Sequence, residues 1–115
     1  MPIIFNRYEG ILLLDNSIDE IVKRYADIVK KNIDVKMVLL YGSHARGDQR
    51  EYSDIDVAVI VDDIGEDYLE KSAKLASLVW DIDTRIEPNL LCAKYDRSGF
   101  LESIMKYGKI IYSSI

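Results

Sequence analysis

The sequence predicts an α+β fold in which helices cover a small mixed β-sheet. Apolar residues recur at helical spacing in three segments, and short apolar runs rich in β-branched residues alternate with them. No repeat or Pro/Gly/Ser-rich linker divides the 115 residues, a length that suits one domain over 1–115. The order is helix, strand, strand, helix, strand, helix, strand, and a layered sheet is the simplest way to bury the apolar side of each.

The first helix is predicted over residues 18–31. Ser17 and Glu20 form a capping box just before it, because each side chain can satisfy a free amide at the start of the helix. Its apolar positions follow helical spacing at Ile18, Ile21, Val22, Tyr25, Ile28 and Val29. Residues 1–14 are apolar in patches and are assigned no element and no role.

Two strands and a second helix follow. Residues 37–41 are wholly apolar and residues 55–61 are rich in β-branched residues, so both are predicted as strands with the polar interval 43–53 between them. The second amphipathic helix is expected to turn inward Leu69, Ala73, Ala76 and Val79, with Leu75 and Trp80 beside them in the core.

The C-terminal third predicts a strand, a helix and a last strand. Residues 85–91 read as a strand in which Pro88 limits pairing to an edge, an end or a bulge. A short helix over 98–106 precedes Gly108, which is placed as its stop signal, and 109–112 can add a final strand.

Composition restricts the classes of function. The formal net charge of −5 argues against broad nucleic-acid binding, which needs excess positive charge. Cys92 is the one cysteine, so it forms no internal disulfide and is expected to be a buried small residue in a protein of the cell interior, with a cytoplasmic location. No apolar run approaches the ~20 residues of a membrane span, and the first residues lack the pattern of a signal peptide.

The stretch GSHARGDQREYSDID, residues 42–56, contains the candidate binding residues. Asp54 and Asp56 lie two positions apart at the head of a strand, so both side chains point to one face. Carboxylates this close can share a divalent cation, and Mg²⁺ prefers such oxygen ligands together with substrate phosphates. Gly42 allows the backbone to approach a ligand closely, and Ser43 can donate a hydrogen bond to a phosphate oxygen.

Several alternatives stay open for this stretch. A lone Asp-x-Asp is usually a solvated turn, and the Gly-Ser turn before it is what favours a binding site. Arg46 can contact phosphate or brace the loop by pairing with Asp54 or Asp48. His44 can lie near phosphate, although a histidine in a loop is more often polar surface, and Ser53 is expected to orient the turn before Asp54.

The same stretch strongly resembles the signature of the nucleotidyltransferases of the DNA polymerase β superfamily. In that pattern a hydrophobic strand ends in Gly-Ser, and Asp-x-Asp or Asp-x-Glu opens the next strand. The motifs Gly-Ser-x-Ala-Arg-Gly and Ser-Asp-x-Asp, in so short a chain, most resemble those of the minimal nucleotidyltransferases. The likeness is strong over residues 37–61 and extends over most of 18–112.

The resemblance implies roles for individual residues. Gly42 and Ser43 would hold the triphosphate, with Arg46 and Ser53 in the same nucleotide-binding set. Asp54 and Asp56 would bind metal, two Mg²⁺ ions in all, and a third carboxylate on a later strand would help to activate the attacking hydroxyl. The candidates for that position are Asp81, Asp83 and Glu87, of which Glu87 is chosen because it lies within the segment RIEPNLL. Glu replaces the more usual Asp there, and Pro88 follows at once.

The implied activity is transfer of AMP from ATP to a hydroxyl with release of pyrophosphate. The partner of minimal nucleotidyltransferases is typically a HEPN-domain RNase toxin, which is silenced by AMPylation of a tyrosine, so a hetero-oligomer of a toxin–antitoxin system is expected. Two other functions remain: a non-catalytic antitoxin that masks its partner, and modification of a small molecule as in the aminoglycoside nucleotidyltransferases.

Overall fold

A four-stranded mixed sheet forms the centre of the computed structural model, which describes residues 17–47, 49, 53–63, 65–94 and 99–114. The elements along the chain are α1 (Ile18–Asn32), β1 (Met37–Tyr41), α2 (Ser43–Arg46), β2 (Ile55–Val61), a 3-10 turn (Gly65–Asp67), α3 (Tyr68–Val79), β3 (Ile86–Cys92), α4 (Phe100–Tyr107) and β4 (Lys109–Ser113).

The strand order is β3-β2-β1-β4. β1 pairs antiparallel with both β2 and β4, whereas β2 pairs parallel with β3 through the α3 crossover. β3 is therefore an edge strand, which is where Pro88 is tolerated because it has no amide hydrogen for a second neighbour. The restriction predicted for this strand is confirmed.

Helices cover the two faces of the sheet unequally. α1 and α3 pack on one face, against the fully buried Val57 and Val59 of β2 and their neighbours. The other face holds a smaller apolar cluster that α4 covers with Ile104; its buried members on the sheet are Met37, Leu39, Ala58 and Ile60. Beyond that cluster this second face carries polar side chains.

Local signals explain most of the element boundaries. The Ser17 side chain accepts a hydrogen bond from the Glu20 amide at 3.1 Å, as the capping box predicts. Gly108 terminates α4, where its amide bonds to the carbonyl of Ile104. Cys92 is buried as expected, and its thiol donates to the carbonyl of Asp62 at 3.1 Å.

The inner face predicted for the second helix is right for Leu75 and Val79 and wrong for the other four residues. Leu69 is 80% exposed and Trp80 is 77% exposed, and Ala73 and Ala76 also face outward. The buried residues of α3 are Leu75, Leu78 and Val79. Three large aliphatic side chains at positions i, i+3 and i+4 bury more apolar surface than a face that contains two alanines, so they determine how the helix rotates onto the sheet.

Some predictions fall outside the described residues. These are the N-terminal residues 1–14, Asp48 as a partner of Arg46, and residue 98 as the start of the last helix. Among the residues that are described, none of the helices is both long and apolar enough to cross a membrane.

A buried hydrogen bond joins the two helices that share one face of the sheet, and it gives a stability prediction. The Tyr25 hydroxyl donates to the carbonyl of Leu75 at 2.7 Å, and Tyr25 is fully buried. Tyr25→Phe leaves that carbonyl without this donor, so we expect the unfolding free energy to fall by about 1–2 kcal/mol in urea denaturation. The control is Tyr107→Phe on an exposed ring, and an equal loss in the two variants would contradict the prediction.

Candidate active site

The turn between β1 and α2 depends on glycine. Gly42 has φ 74° and ψ −151°, a backbone region that is essentially restricted to glycine. Its carbonyl accepts from the amides of Ala45 and Arg46 at 3.1 and 3.0 Å, which starts the short helix α2. Gly47 ends that helix in the left-handed region, so a glycine stands at each end of the turn.

Gly42 lies directly against the carboxylate of Asp56. Tyr41 and Asp56 are paired across the antiparallel strands, which brings the first residue after β1 beside the start of β2. A Cβ on Gly42 would overlap Asp56 Oδ2 and lie 3.1 Å from its Cγ. The absence of a side chain at position 42 is therefore what gives the Asp56 carboxylate its place.

Two further carboxylates lie at the same edge of the sheet. Glu87 is the parallel register partner of Asp56, so their Cα atoms are about 4.8 Å apart and their side chains share one face. Asp54 is exposed and precedes β2, and the Ile55 amide donates to the carbonyl of Arg85 at 2.9 Å, which joins the two strands at this mouth. The structure thus brings Asp56 and Glu87 together, with Asp54 at the edge.

The charges at this edge are unbalanced. Partial burial raises the pKa of Asp56, and the nearby carboxylate of Asp54 raises it further. The charges of His44 and Arg46 lower the pKa of Asp56, but they do not cancel the first two effects. Burial, the larger effect, disfavours the charged carboxylate itself, whereas the effect of Asp54 means that a cation beside the two carboxylates is favourable.

The other two candidates for the third carboxylate are placed differently. Asp83 receives two hydrogen bonds from the Arg85 guanidinium, at 2.8 and 3.1 Å, and these bonds lower the pKa of its carboxyl group. Asp83 is thereby engaged in a local ion pair. Asp81 is exposed in the turn after α3. Of the three residues, only Glu87 is in register with Asp56.

The carboxylates fit a metal that arrives with its substrate better than a resident one. Within the part of the chain that the structure describes, no three His, Cys, Asp or Glu side chains are close enough to form a ready metal centre. Mg²⁺ is commonly held by one or two carboxylates plus substrate phosphates and water, so it does not require such a centre. Because the donors are all oxygens and the pKa of Asp56 is raised, the residues suit Mg²⁺.

Tyr41 is a residue of this site that the sequence reasoning missed. Asn89 of β3 donates a hydrogen bond to the Tyr41 hydroxyl, which therefore reaches across β2. Burial raises the pKa of Tyr41, and the Asp56 and Glu87 carboxylates raise it further, while the bond from Asn89 lowers it. The available signal was the position of Tyr41 directly before Gly42, at the end of an apolar strand.

His44 is half-buried and is not the polar surface residue that the loop position favoured. Its Nε2 lies 3.3 Å from the carbonyl oxygen of Ser53. A carbonyl only accepts, so Nε2 is the protonated nitrogen. Nδ1 is buried and has no hydrogen-bond partner among the described residues. His44 thus links α2 to the approach of β2, and Ser53 contributes its backbone there.

Ser43 and Arg46 lie at the two ends of α2. Ser43 is half-buried beside Gly42, and Arg46 is exposed with its charge acting on Asp56. The amides of Ala45 and Arg46 bond to the Gly42 carbonyl, so at this turn only the two amides before them, those of Ser43 and His44, can meet an anionic group. Of the four predicted nucleotide-binding residues, Gly42 lies against Asp56 and Arg46 acts on it by charge, while Ser43 and Ser53 are chain neighbours of Gly42 and Asp54.

Comparison with known proteins gives a family match. The model of the family described as "Polymerase beta, Nucleotidyltransferase" matches residues 23–114. A protein of Methanocaldococcus jannaschii described as "Putative protein adenylyltransferase" is 34% identical over 95 residues, which are 79% of this chain and 91% of that protein. Another, with the same description, is 43% identical over 44 residues, or 38% of this chain. The chain spans about half the length of that curated relative, 51%.

Solved structures match the fold. A structure described as a "putative nucleotidyltransferase" from Sulfolobus solfataricus superposes with a TM-score of 0.63 at 19% identity, over 84% of this chain and 81% of that chain. A second, described as a "toxin-antitoxin with AMP-PNP", gives a TM-score of 0.56 at 25% identity, over 80% of this chain and 73% of that chain. The predicted α+β nucleotidyltransferase fold is confirmed.

The contact between Gly42 and Asp56 gives a prediction with a matched control. Gly42→Ala places a methyl group against Asp56 Oδ2 in a backbone region that alanine avoids, so we expect the unfolding free energy to fall by about 2 kcal/mol or more. Gly47→Ala also has a positive φ but meets nothing within 4 Å, so it should cost about 1 kcal/mol. Chemical denaturation of both variants measures the difference, and equal losses would refute the close packing.

The electrostatics of the two aspartates give a second prediction. The folded state binds the Asp56 proton more tightly than the unfolded chain does. Without metal, this group's contribution to stability is therefore full below the unfolded pKa and is lost as pH rises through the folded pKa. Asp54→Asn removes one cause of the shift and should lower the pKa of Asp56, as measured by carboxyl NMR titration. Asp62→Asn, at the other end of β2, should leave it unchanged, and an unchanged pKa in Asp54→Asn would contradict the account.

Proposed function

The chain belongs to the Polymerase beta, Nucleotidyltransferase family, and from that membership and the geometry of the site we propose that it transfers AMP from ATP to a hydroxyl group of a partner protein. The proposal rests mainly on the close contact between the Gly42 backbone and the Asp56 carboxylate. Glu87 is the register partner of Asp56 on the adjacent strand. This arrangement brings a backbone surface suited to phosphate next to carboxylates suited to a cation.

Each residue of the site has a role in the proposed reaction. Gly42 and Ser43 hold the triphosphate, and Arg46 neutralises part of its charge, with Ser53 orienting the approach to Asp54. The acceptor oxygen bonds to the α-phosphorus of ATP while the bond to the pyrophosphate oxygen breaks. Glu87 takes the hydroxyl proton, for which its position beside Asp56 is suitable. Most of the catalysis then comes from positioning and from neutralisation of charge.

Asp54, Asp56 and Glu87 would hold two Mg²⁺ ions together with the phosphates of ATP. Bound there, the ions would neutralise developing negative charge on the attacking and leaving oxygens. The protein contributes the fixed spacing of the carboxylates, since two come from β2 and its approach and one from the adjacent parallel strand. It also contributes the partial burial that makes an unpaired Asp56 carboxylate unfavourable.

The acceptor is proposed to be a tyrosine of a HEPN-domain RNase toxin, with which the chain forms a hetero-oligomer. Support comes from the relatives described as protein adenylyltransferases and from the toxin–antitoxin neighbour, which was crystallised with AMP-PNP. The net charge of −5 would complement the basic surface that an RNA-cleaving partner needs. Such charge complementarity would bring the partner's hydroxyl to the acidic edge of the sheet.

Transfer of label from ATP tests the proposal. We expect α-labelled ATP and Mg²⁺ to label the HEPN-domain toxin proposed as the partner. Loss of an outer-sphere metal partner can cost about a hundredfold, and Asp54→Ala/Asp56→Ala should reduce the labelling rate by more than that. Asp81→Ala, which removes an exposed acid outside the site, is the matched control and should label normally. Chelation of the metal should stop labelling in all three proteins.

Two results would overturn this function. If the double variant still silences the toxin in cells and wild type transfers no label, the chain acts by masking its partner. If wild type modifies a small hydroxyl compound such as an aminoglycoside without a partner, the acceptor class is wrong. Mass spectrometry of the toxin separates these results from AMP transfer, because only transfer adds the mass of AMP to a tyrosine.

A further inference from the structure

A cavity of about 520 Å³ opens beside the candidate active site, between α2, the end of β1 and α4. One of its walls is Gly42, the same glycine that lies against Asp56. Its volume lies within the range of about 300–1,000 Å³ that is typical of small-molecule sites. The cavity is therefore continuous with the proposed phosphate site and large enough to hold part of a ligand that is bound there.

The lining of the cavity suits a flat ring with a polar edge. Tyr41 and Phe100 meet edge to face, with ring centroids 5.7 Å apart at 84°. Phe100 is 42% exposed and Tyr107 is 67% exposed, and the Lys106 ammonium lies 5.3 Å from the centroid of the Tyr107 ring. Ile104 contributes an apolar wall, and the Ser103 hydroxyl adds a hydrogen-bonding group. Exposed aromatic faces with a few polar groups are the usual surroundings of a stacked base.

The direction of the proposed reaction decides which part of the substrates this cavity can take. In an in-line displacement the attacking and leaving oxygens lie on opposite sides of the phosphorus. The leaving pyrophosphate is assigned to Gly42 and Ser43, and the attacking hydroxyl to the side of Glu87 on β3. The lining of the cavity comes from β1, the turn residue Gly42, α2, α4 and the residue after α4, without a contribution from β3 among the described residues. The acceptor therefore approaches from the other side.

We propose that this cavity binds the nucleobase of the donor nucleotide, with Tyr107 and Phe100 as stacking surfaces and Ser103 at the edge of the base. This inference rests on the proposed function, and it adds residues of α4 that lie outside the Gly-Ser and Asp-x-Asp motifs. Base binding there also gives α4 a role beyond covering the apolar cluster of Leu39, Ala58 and Ile60. The adenosine would lie on the β1 side of the site and the acceptor on the β3 side.

Calorimetric titration with two ligands tests the proposal. Mg²⁺ with ATP reports on the base and the phosphates together, whereas Mg²⁺ with inorganic tripolyphosphate reports on the phosphate site alone. Tyr107→Ala should weaken ATP about tenfold, the scale of one lost stacking contact, and leave tripolyphosphate affinity unchanged. Ser103→Phe fills the cavity from an exposed helical position and should have the same selective effect.

Trp80→Ala is the matched control. Trp80 is an exposed aromatic residue at the end of α3, which packs on the opposite face of the sheet, so this variant should bind both ligands like wild type. Circular dichroism verifies that every variant is folded before titration. Selective loss of ATP in Tyr107→Ala and Ser103→Phe, with Trp80→Ala unchanged, is the result that supports the proposal.

Three results would overturn the base site. In the first, ATP affinity is unchanged in both variants. In the second, ATP and tripolyphosphate weaken in parallel, which shows that α4 acts through the phosphate site. In the third, ATP binding is retained while transfer to the partner falls, which assigns the cavity to the acceptor. If wild type binds neither ligand, the proposed function itself fails, and this proposal fails with it.

Discussion

The contact between the Gly42 backbone and the Asp56 carboxylate is the constraint on which the site depends. It follows from the pairing of Tyr41 with Asp56, which brings the end of one strand beside the start of the next. No side chain larger than hydrogen fits at position 42, so the phosphate turn and the acidic edge are in contact. Asp56 is partly buried and lies near Asp54, and both effects raise its pKa. A nearby positive charge would therefore stabilise the ionised Asp56 carboxylate.

The mixed sheet explains how the acidic edge arises. Among the described elements, α1 and α3 pack on one face, while α4 packs on the apolar cluster of the second face. The remaining part carries Asp56, Glu87 and Asn89 at adjacent register positions on two parallel strands. Parallel pairing matters because it places both strand beginnings at the same edge, so that carboxylates distant in sequence become neighbours. The cavity under α4 then extends this surface on the side of β1.

The sequence allowed the sheet to be predicted more accurately than the helices. Residues 37–41 and 55–61 are strands over the predicted bounds, because a short apolar run between polar segments, in the second case rich in β-branched residues, leaves few alternatives. The buried face of α3 was predicted only in part, at Leu75 and Val79, since two spacings of apolar residues are possible there and only the packing against the sheet decides between them. Trp80, which was predicted to lie in the core, is exposed as a result.

The site was predictable where a local motif carries it. Gly42, Asp54 and Asp56 stand within fifteen residues, and the structure places them together. Tyr41 could not be assigned in the same way, because its role depends on a hydrogen bond from Asn89, 48 residues away. The contact of His44 Nε2 with the Ser53 carbonyl likewise joins residues nine positions apart, which the local sequence does not predict.

A crystal structure of the chain with Mg²⁺ and a non-hydrolysable ATP analogue tests the central claim most directly. The account predicts Mg²⁺ bound by carboxylate oxygens of Asp54 and Asp56 at about 2.0–2.1 Å, with the nucleotide phosphates against Gly42. Both carboxylates turned to bulk solvent, with the nucleotide bound elsewhere or not at all, would contradict it.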